Sequence, residues 1–397
     1  MNKFGIIVIG YDRADSVNRL LNGLSNAYYG GDSVTLIISI DKSNVVEVYD
    51  VAQKFNWKNG NKIIETQEKR LGLKKHILKC GSYMEKYGLD AVAVFEDDVY
   101  PSKAFFEYMK QTVTQYQDNQ DIAGISLYSQ PMNKGARLPF IPNPSKYDVY
   151  FVQYAESWGQ IWLRNQWKDF SKWLMNENDD VFVPEKIPPF VCGFGDRSWL
   201  KYHIKYCIEK NKYFVYPYKS YSTCFCDAGE HSGGGITLYQ TPLEESAAYK
   251  LRLPGGFDEA VVYDAFFEVV DKTNTICFDL YGQKIDYTGY KKLVTCHNDV
   301  PFKCIETYGL QIKPHEMNYF MKIPGNSIYV YDLEENCIKN RKKVDLVEKL
   351  NYYNSYNPNI HFTFELYVEL VRKWISYMWG RRKNLIKKLN RSIRFLE

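Results

Sequence analysis

The chain has 397 residues, room for one large α/β domain and a smaller second unit. Hydrophobic residues at 45% and charged residues at 25% are the proportions of an ordinary soluble globular protein. A net charge of only +4 excludes bulk charge as a ground for nucleic-acid binding, and no stretch is long and apolar enough to cross a bilayer.

In chain order, Phe4 to Ile9 is a short apolar run that reads as a buried strand. It is too short for a signal peptide and has no small-residue cleavage site, so a cytoplasmic location is expected, peripheral to the inner face of the membrane if attached. Ala14 to Ala27 places Val17, Leu20, Leu21 and Leu24 on one helical face. Val34 to Ile40 is a second strand ending at Asp41, and Val45 to Phe55 a helix. Lys62 to Glu65 is a short strand, and Leu73 to Tyr87 one helix with Leu73, Ile77 and Met84 on a side. Ala91 to Phe95 is a strand that runs at once into Glu96-Asp97-Asp98. Pro101 is expected to open a helix carrying Phe105, Phe106 and Met109, and Ile122 to Leu127 is a further strand. An aromatic section spans Tyr150 to Gly235. Past Thr241 short strand-like runs appear at Thr275–Leu280, Lys292–Cys296 and Ile328–Tyr331, and Phe364 to Leu396 reads as helical. The expected division is therefore 1–240, a small mixed or β-rich unit at 241–360, and a basic amphipathic helix at 361–397.

Repeated βα units require right-handed crossovers, which predicts a mostly parallel sheet with helices on both faces, a three-layer αβα sandwich. In such sheets ligands bind beyond the carboxyl ends of the strands. Asp12 and Arg13, Asp41, and Glu96 to Asp98 all fall at such ends. Helix N-capping accounts for any one of them; three strands directing carboxylates at one crevice point to a site.

The sharpest signal is Val92-Ala93-Val94-Phe95-Glu96-Asp97-Asp98. A buried strand ending in consecutive acids must hold them at its mouth, because burying unpaired carboxylates is prohibitive. Close carboxylates suit a divalent cation, Mg²⁺ or Mn²⁺, which also neutralises a diphosphate. His231 lies in the glycine-rich segment Asp227 to Gly235, where it is either a second metal or diphosphate contact or a plain loop histidine. His76 and His203 read as structural. The nine cysteines contain no metal-type pair, Cys224 and Cys226 being separated by one residue, and suit reduced thiols. Thirty-four tyrosines and eight tryptophans suit both core packing and stacking on sugars and bases. At the end of the chain Arg372, Lys373, Arg381, Arg382, Lys383, Lys387, Lys388, Arg391 and Arg394 interleave with Leu385, Ile386, Leu389, Ile393 and Leu396. That pattern fits an anionic membrane surface, or a helix packed on its own domain.

These motifs carry a family resemblance. Tyr11-Asp12-Arg13-Ala14-Asp15-Ser16-Val17 looks like the opening of GT-A glycosyltransferases. Arg70-Leu71-Gly72-Leu73, then Phe95-Glu96-Asp97-Asp98-Val99 and Pro101 to Phe106, is similar to the N-acetylglucosaminyltransferase I group and its bacterial relatives. Ser157-Trp158-Gly159-Gln160-Ile161-Trp162, Gly195-Asp196-Arg197-Ser198-Trp199 and Gly229-Glu230-His231-Ser232 resemble, in order, segments of bacterial capsule and surface-polysaccharide glycosyltransferases. Arg197 splits the family's Asp-Ser pair, and Gln160 stands where an aromatic is common. The resemblance covers about residues 4 to 235. It implies a GT-A fold and transfer from a nucleotide sugar, a UDP-sugar, to the hydroxyl of a saccharide or lipid-linked saccharide, with inversion. It also implies residue roles: Asp12, Arg13, Asp41, Arg70, Glu96 and Asp97 at the donor, Asp98 and His231 at the metal, Asp196 as general base, and Trp158 and Trp199 at the acceptor. Two other functions compete. A nucleotidyltransferase would carry a basic Gly-rich loop where this chain has Gly10-Tyr11-Asp12-Arg13. A non-catalytic carbohydrate-binding protein would not need Asp98 and Asp196. Nucleic acid is not an expected partner.

Overall fold

The computed structural model describes residues 2–176, 182, 186–225, 227, 237–247, 250–284, 286–337, 346–356, 371 and 375. Strand and helix first alternate as β1 (Phe4–Gly10), α1 (Ala14–Ser25), β2 (Thr35–Ile40), α2 (Val46–Lys54), β3 (Lys62–Thr66), α3 (Leu73–Gly81), α4 (Tyr83–Lys86) and β4 (Ala91–Glu96). There follow β5 (Val99–Pro101), α5 (Phe105–Tyr116), β6 (Ile122–Ser126), β7 (Met132–Asn133), β8 (Leu138–Pro139), β9 (Val149–Val152), β10 (Gln160–Leu163), α6 (Arg164–Asn176), α7 (Pro189–Cys192), α8 (Leu200–Glu209), β11 (Tyr213–Pro217) and β12 (Ser222–Cys224). The remaining elements are β13 (Val262–Tyr263), β14 (Ile276–Asp279), β15 (Lys292–Thr295), β16 (Phe302–Tyr308), α9 (His315–Phe320), β17 (Ile328–Asn336) and α10 (Leu346–Asn354).

Nine strands form one sheet in the order β13-β9-β11-β6-β10-β4-β1-β2-β3. The strands β1, β2, β3, β4, β6 and β11 share a direction, and β9, β10 and β13 oppose them. The mostly parallel α/β architecture expected from the βα alternation is therefore present. Both faces are buried, which is why β1 and β2 read as unbroken apolar runs. In β1 the side chains alternate between two cores. Ile6 and Val8 pack with Leu20, Leu24 and Phe105 on the α1/α2/α5 side. Ile7 and Ile9 pack with Ile77, Trp162 and Ile204 on the other. The large sheet extends to Val262–Tyr263, and a separate mixed sheet, β14-β15-β17-β16, begins at Ile276 with its own core around Phe278, Val294, Ile328 and Val330. Among the described residues no helix is long and apolar enough to cross a membrane. The basic segment expected to form a helix at 361–397 lies outside the described residues, apart from Val371 and Ile375.

Two local expectations change. The single helix expected from Leu73 to Tyr87 is divided at Ser82, whose hydroxyl and backbone N–H both return to the Lys79 carbonyl at 2.7 and 3.0 Å. The preceding turn is pressed against Trp167: a Cβ on Gly81 would lie 1.8 Å from the indole nitrogen. Pro101 does not open a helix. It closes β5, which pairs antiparallel with β12, and α5 starts four residues later. A proline at the end of a two-stranded ribbon costs no ladder bond when its nitrogen faces away from the partner.

Candidate functional site

The carboxyl ends of β1, β2 and β4 are adjacent because β1 lies between its two parallel neighbours. β1 ends at Gly10, and the chain turns through Tyr11, Asp12 and Arg13 before α1. Arg13 crosses to the mouth of β4. Its Nε donates to Asp97 Oδ2 at 3.2 Å while Nη2 bonds Asp97 Oδ1, a bidentate pair. Its Nη1 reaches Asp98 Oδ2 at 3.4 Å and the Asp227 carbonyl at 3.3 Å. Burial disfavours the Arg13 charge, but Asp97, Asp98 and Asp227 more than offset it, so the guanidinium stays protonated.

One guanidinium does not balance three acids. Burial, reinforced by the Asp98 and Asp97 charges, pushes the Glu96 carboxyl up to about 8, against the opposing pull of Arg13 and a hydrogen bond from the Trp199 side chain. Burial likewise raises Asp97 to about 6, with Arg13 pulling it down and the charge of exposed Asp12 adding to the rise. Among the described residues the mouth of β4 thus gathers three acids on the single guanidinium of Arg13. Among the described residues no three His, Cys, Asp or Glu side chains converge as a protein-only metal cage. The donor set instead suits Mg²⁺ or Mn²⁺ held by one or two carboxylates, with substrate phosphates and water completing the shell. His231, expected as a metal contact, lies outside the described residues.

Asp227 is the site residue that sequence reasoning missed. Its carboxylate accepts from Ser16 Oγ at 2.7 Å and from Arg19, and these bonds hold it below the usual carboxylate range despite partial burial. The β5–β12 ribbon delivers it: Cys224 lies opposite Val99, and the Phe225 N–H donates to the Asp98 carbonyl at 2.8 Å. Nothing local marks Asp227 beyond its place in a polar, glycine-rich stretch.

At the end of β2 the buried Asp41 carboxylate accepts the backbone N–H groups of Lys42 at 2.8 Å, Leu71 at 2.9 Å and Gly72 at 2.9 Å. Asp41 therefore clamps the turn that carries Arg70, whose guanidinium lies 4.5 Å from the Tyr11 ring centroid. Gly72 adopts φ 76°, a left-handed conformation at the start of α3 that favours glycine. Beneath this turn His76 Nε2 meets Ser39 Oγ at 2.7 Å, and burial depresses the imidazole to about 4, leaving it neutral. His203 packs on Phe170 at 4.2 Å and is pushed by burial to about 3. Both are core residues.

The expected acceptor residues approach from the other side of β4. The antiparallel strand β10 pairs Gln160 with Val94, which brings Trp158 level with the acids. Half-buried Trp158 contacts Tyr128 at 5.1 Å, Tyr239 at 5.0 Å and the Lys134 ammonium at 4.6 Å, and Lys134 is tied at 2.6 Å to buried Glu156. Trp199 is buried against Trp162, and its side chain is one of the groups that oppose the upward shift of the Glu96 carboxyl. Asp196, in the turn three residues before Trp199, is fully exposed, with Lys201 Nζ 3.6 Å from its carboxylate. Gln160, which replaces the family's aromatic, is buried. It accepts from Trp162 Nε1 at 2.6 Å and donates to the Glu156 carbonyl at 2.6 Å.

No protein-family model matches the chain, and neither does any curated protein. Among solved structures the chain is similar to S. aureus TarS 1–349 in complex with UDP-GlcNAc, at 16% identity and TM-score 0.38, over 59% of this chain and 62% of that one. It is also similar to the mannosyltransferase PcManGT from Pyrobaculum calidifontis in complex with GDP-Man and Mn²⁺, at 12% identity and TM-score 0.31, over 44% and 46%. The match spans less than two thirds of either neighbour. Similarity this low leaves the functional argument to the residues of the site itself.

Proposed function

We propose that this chain is a GT-A-type glycosyltransferase that moves a sugar from a nucleotide sugar, a UDP-sugar, to an acceptor hydroxyl in capsule or surface-polysaccharide assembly. The observation that carries the reading is the convergence of Arg13, Asp97, Asp98 and Asp227 beyond the carboxyl ends of the parallel strands, where Arg13 is shared between Asp97 and Asp98 and Arg19 is taken up by Asp227. That edge is where α/β sheets bind nucleotides.

In this reading the nucleotide lies across the ends of β1 and β2. Asp12 faces the ribose or base. Asp41 acts there through the turn it clamps, presenting Arg70 to the base or diphosphate. Asp98 would hold Mn²⁺ or Mg²⁺, with Glu96 and Asp97 toward its water ligands and the donor, and His231 as the further contact. The bound cation supplies charge neutralisation for the departing nucleoside diphosphate. Arg13 keeps Asp97 and Asp98 oriented and limits their mutual repulsion. Trp158 and Trp199 frame the acceptor side, and Asp196 takes the proton of the acceptor hydroxyl on the face opposite the leaving group, which gives inversion. The exposure of Asp196 leaves it accessible to an incoming acceptor.

Calorimetric titration of UDP, GDP, CDP and dTDP into the full chain, with Mn²⁺ and then with EDTA, tests the reading. Mn²⁺-dependent binding of UDP is expected. Absence of binding by every nucleotide in both conditions would overturn it. Release of pyrophosphate during turnover would favour a nucleotidyltransferase.

A further inference from the structure

A second polar cleft opens at the same edge of the large sheet, past the end of β11. It has a volume of about 320 Å³ and is lined by Asp148, Tyr218, Lys219, Tyr221, Lys250 and Arg252, a size at the lower end of the range for small-molecule sites. Its walls are held by backbone bonds: Tyr218 N–H to the Asp148 carbonyl at 3.1 Å, Asp148 N–H to the Arg252 carbonyl at 2.9 Å, and Ser102 N–H to the Tyr221 carbonyl at 2.9 Å. The Tyr221 ring is fixed by stacking on Tyr108 at 4.3 Å, and the Tyr218 hydroxyl donates to the Asn143 carbonyl at 2.6 Å.

The cleft presents three cations and one carboxylate. Arg252 lies 3.5 Å from Asp148, and Lys219 pairs with Glu244 at 2.6 Å, with Arg252 and Lys219 side chains 68% and 70% exposed. Their carboxylate partners are more buried, Asp148 at 24% and Glu244 at 11%, so the end of each pair that faces solvent is the cationic one. Lys250 is exposed and has no ion pair among the described residues. The site thus combines rigid tyrosine walls with an excess of positive charge.

Its position fits a polymeric acceptor. Tyr221 immediately precedes β12, whose Ser222 lies opposite Pro101, and β5 leads back to Asp98. Tyr221 lies opposite Ser102, four residues past Asp98, so at ~3.3 Å per strand residue the cleft begins roughly 13 Å from Asp98, the span of a few sugar units. We propose that this cleft binds an anionic unit of the acceptor saccharide, a carboxylate or a phosphodiester, beside the unit that is glycosylated. The acceptor role rests on the transferase reading above, while anion binding by the cleft is measurable without it.

The test is calorimetry on the full chain without nucleotide, using an oligogalacturonate, a glycerol-phosphate oligomer and a neutral oligogalactose, at low and high salt. One anionic oligomer should bind, and lose affinity with salt, while the neutral one should not. Which of the two binds identifies carboxylate or phosphodiester as the natural group. Lys250→Glu should weaken that binding by at least about tenfold, and Arg252→Ser should weaken it less, with UDP binding and thermal midpoint unchanged in both. Equal binding of the neutral oligomer, no binding of either anionic one, or unchanged affinity in Lys250→Glu would overturn the proposal. Loss of UDP binding in the wild type alone would remove the transferase reading and leave the cleft to be judged by the oligomers.

Discussion

At the scale of single residues the proposed roles of Asp98 and Asp196 separate cleanly in kinetics. Asp98→Ala should weaken Mn²⁺-dependent UDP binding by roughly tenfold or more, ~1.4 kcal/mol. Asp196→Asn should leave that binding intact and cut kcat by about 10²–10⁴-fold, the usual contribution of a positioned base. Equal loss of nucleotide affinity in both variants would contradict the assignment. The acids also make stability depend on pH. Glu96 titrates near 4.5 when unfolded and is raised to about 8 in the fold, and Asp97 moves from 3.8 to about 6. The folded chain therefore holds more protons than the unfolded one in this window, and these groups lower its stability as pH rises from about 4.5 to 8. Thermal midpoints in EDTA should show that decline. Glu96→Gln should flatten it, and Mn²⁺ should restore stability at the alkaline end. A Glu96→Gln profile parallel to wild type would show that the acids are not the source.

Among the secondary-structure elements, two packing contacts shape the site. The β5–β12 ribbon carries Asp227 to Arg13, and the turn between α3 and α4 meets α6 face to face at Gly81 and Trp167. The indole of Trp167 stacks on Trp162 at 3.7 Å, and Trp162 in turn touches Trp199, 6.1 Å between ring centroids. A methyl at position 81 would collide with the ring. Gly81→Ala should therefore destabilise the chain by about 1–3 kcal/mol, the ordinary effect of overpacking a filled core. Denaturant melts would detect it as a lower midpoint at unchanged slope. An unaltered midpoint would mean that α3 and α6 slide apart at little cost.

For the molecule as a whole, the large sheet supplies the candidate site, and α9, between two strands of the smaller sheet in sequence, is tied to β13 by a buried bond from Tyr263 Oη to Glu316 Oε1 at 3.0 Å. The membrane association read from the basic segment at 361–397 is a separate matter, since that segment lies outside the described residues. A chain ending at residue 360 should lose binding to anionic vesicles in a sedimentation assay while keeping UDP binding. Undiminished vesicle binding would dismiss the membrane role.

The local code reaches a long way in this chain. Buried apolar runs and helical spacing specify β1 to β4 with α1 and α2 to within a few residues, because strand and helix periodicity are written in neighbouring positions. Acids at strand ends are visible for the same reason. What neighbouring positions do not contain is who meets whom. Only the tertiary structure inserts β10 antiparallel between β4 and β6, brings Asp227 to Arg13 across 214 positions, packs Trp199 against Trp162, and turns Asp41 into a clamp for the Arg70 turn. Each of these depends on long-range sheet order and on satisfying a buried polar group, and the energy of such a contact belongs to both partners at once.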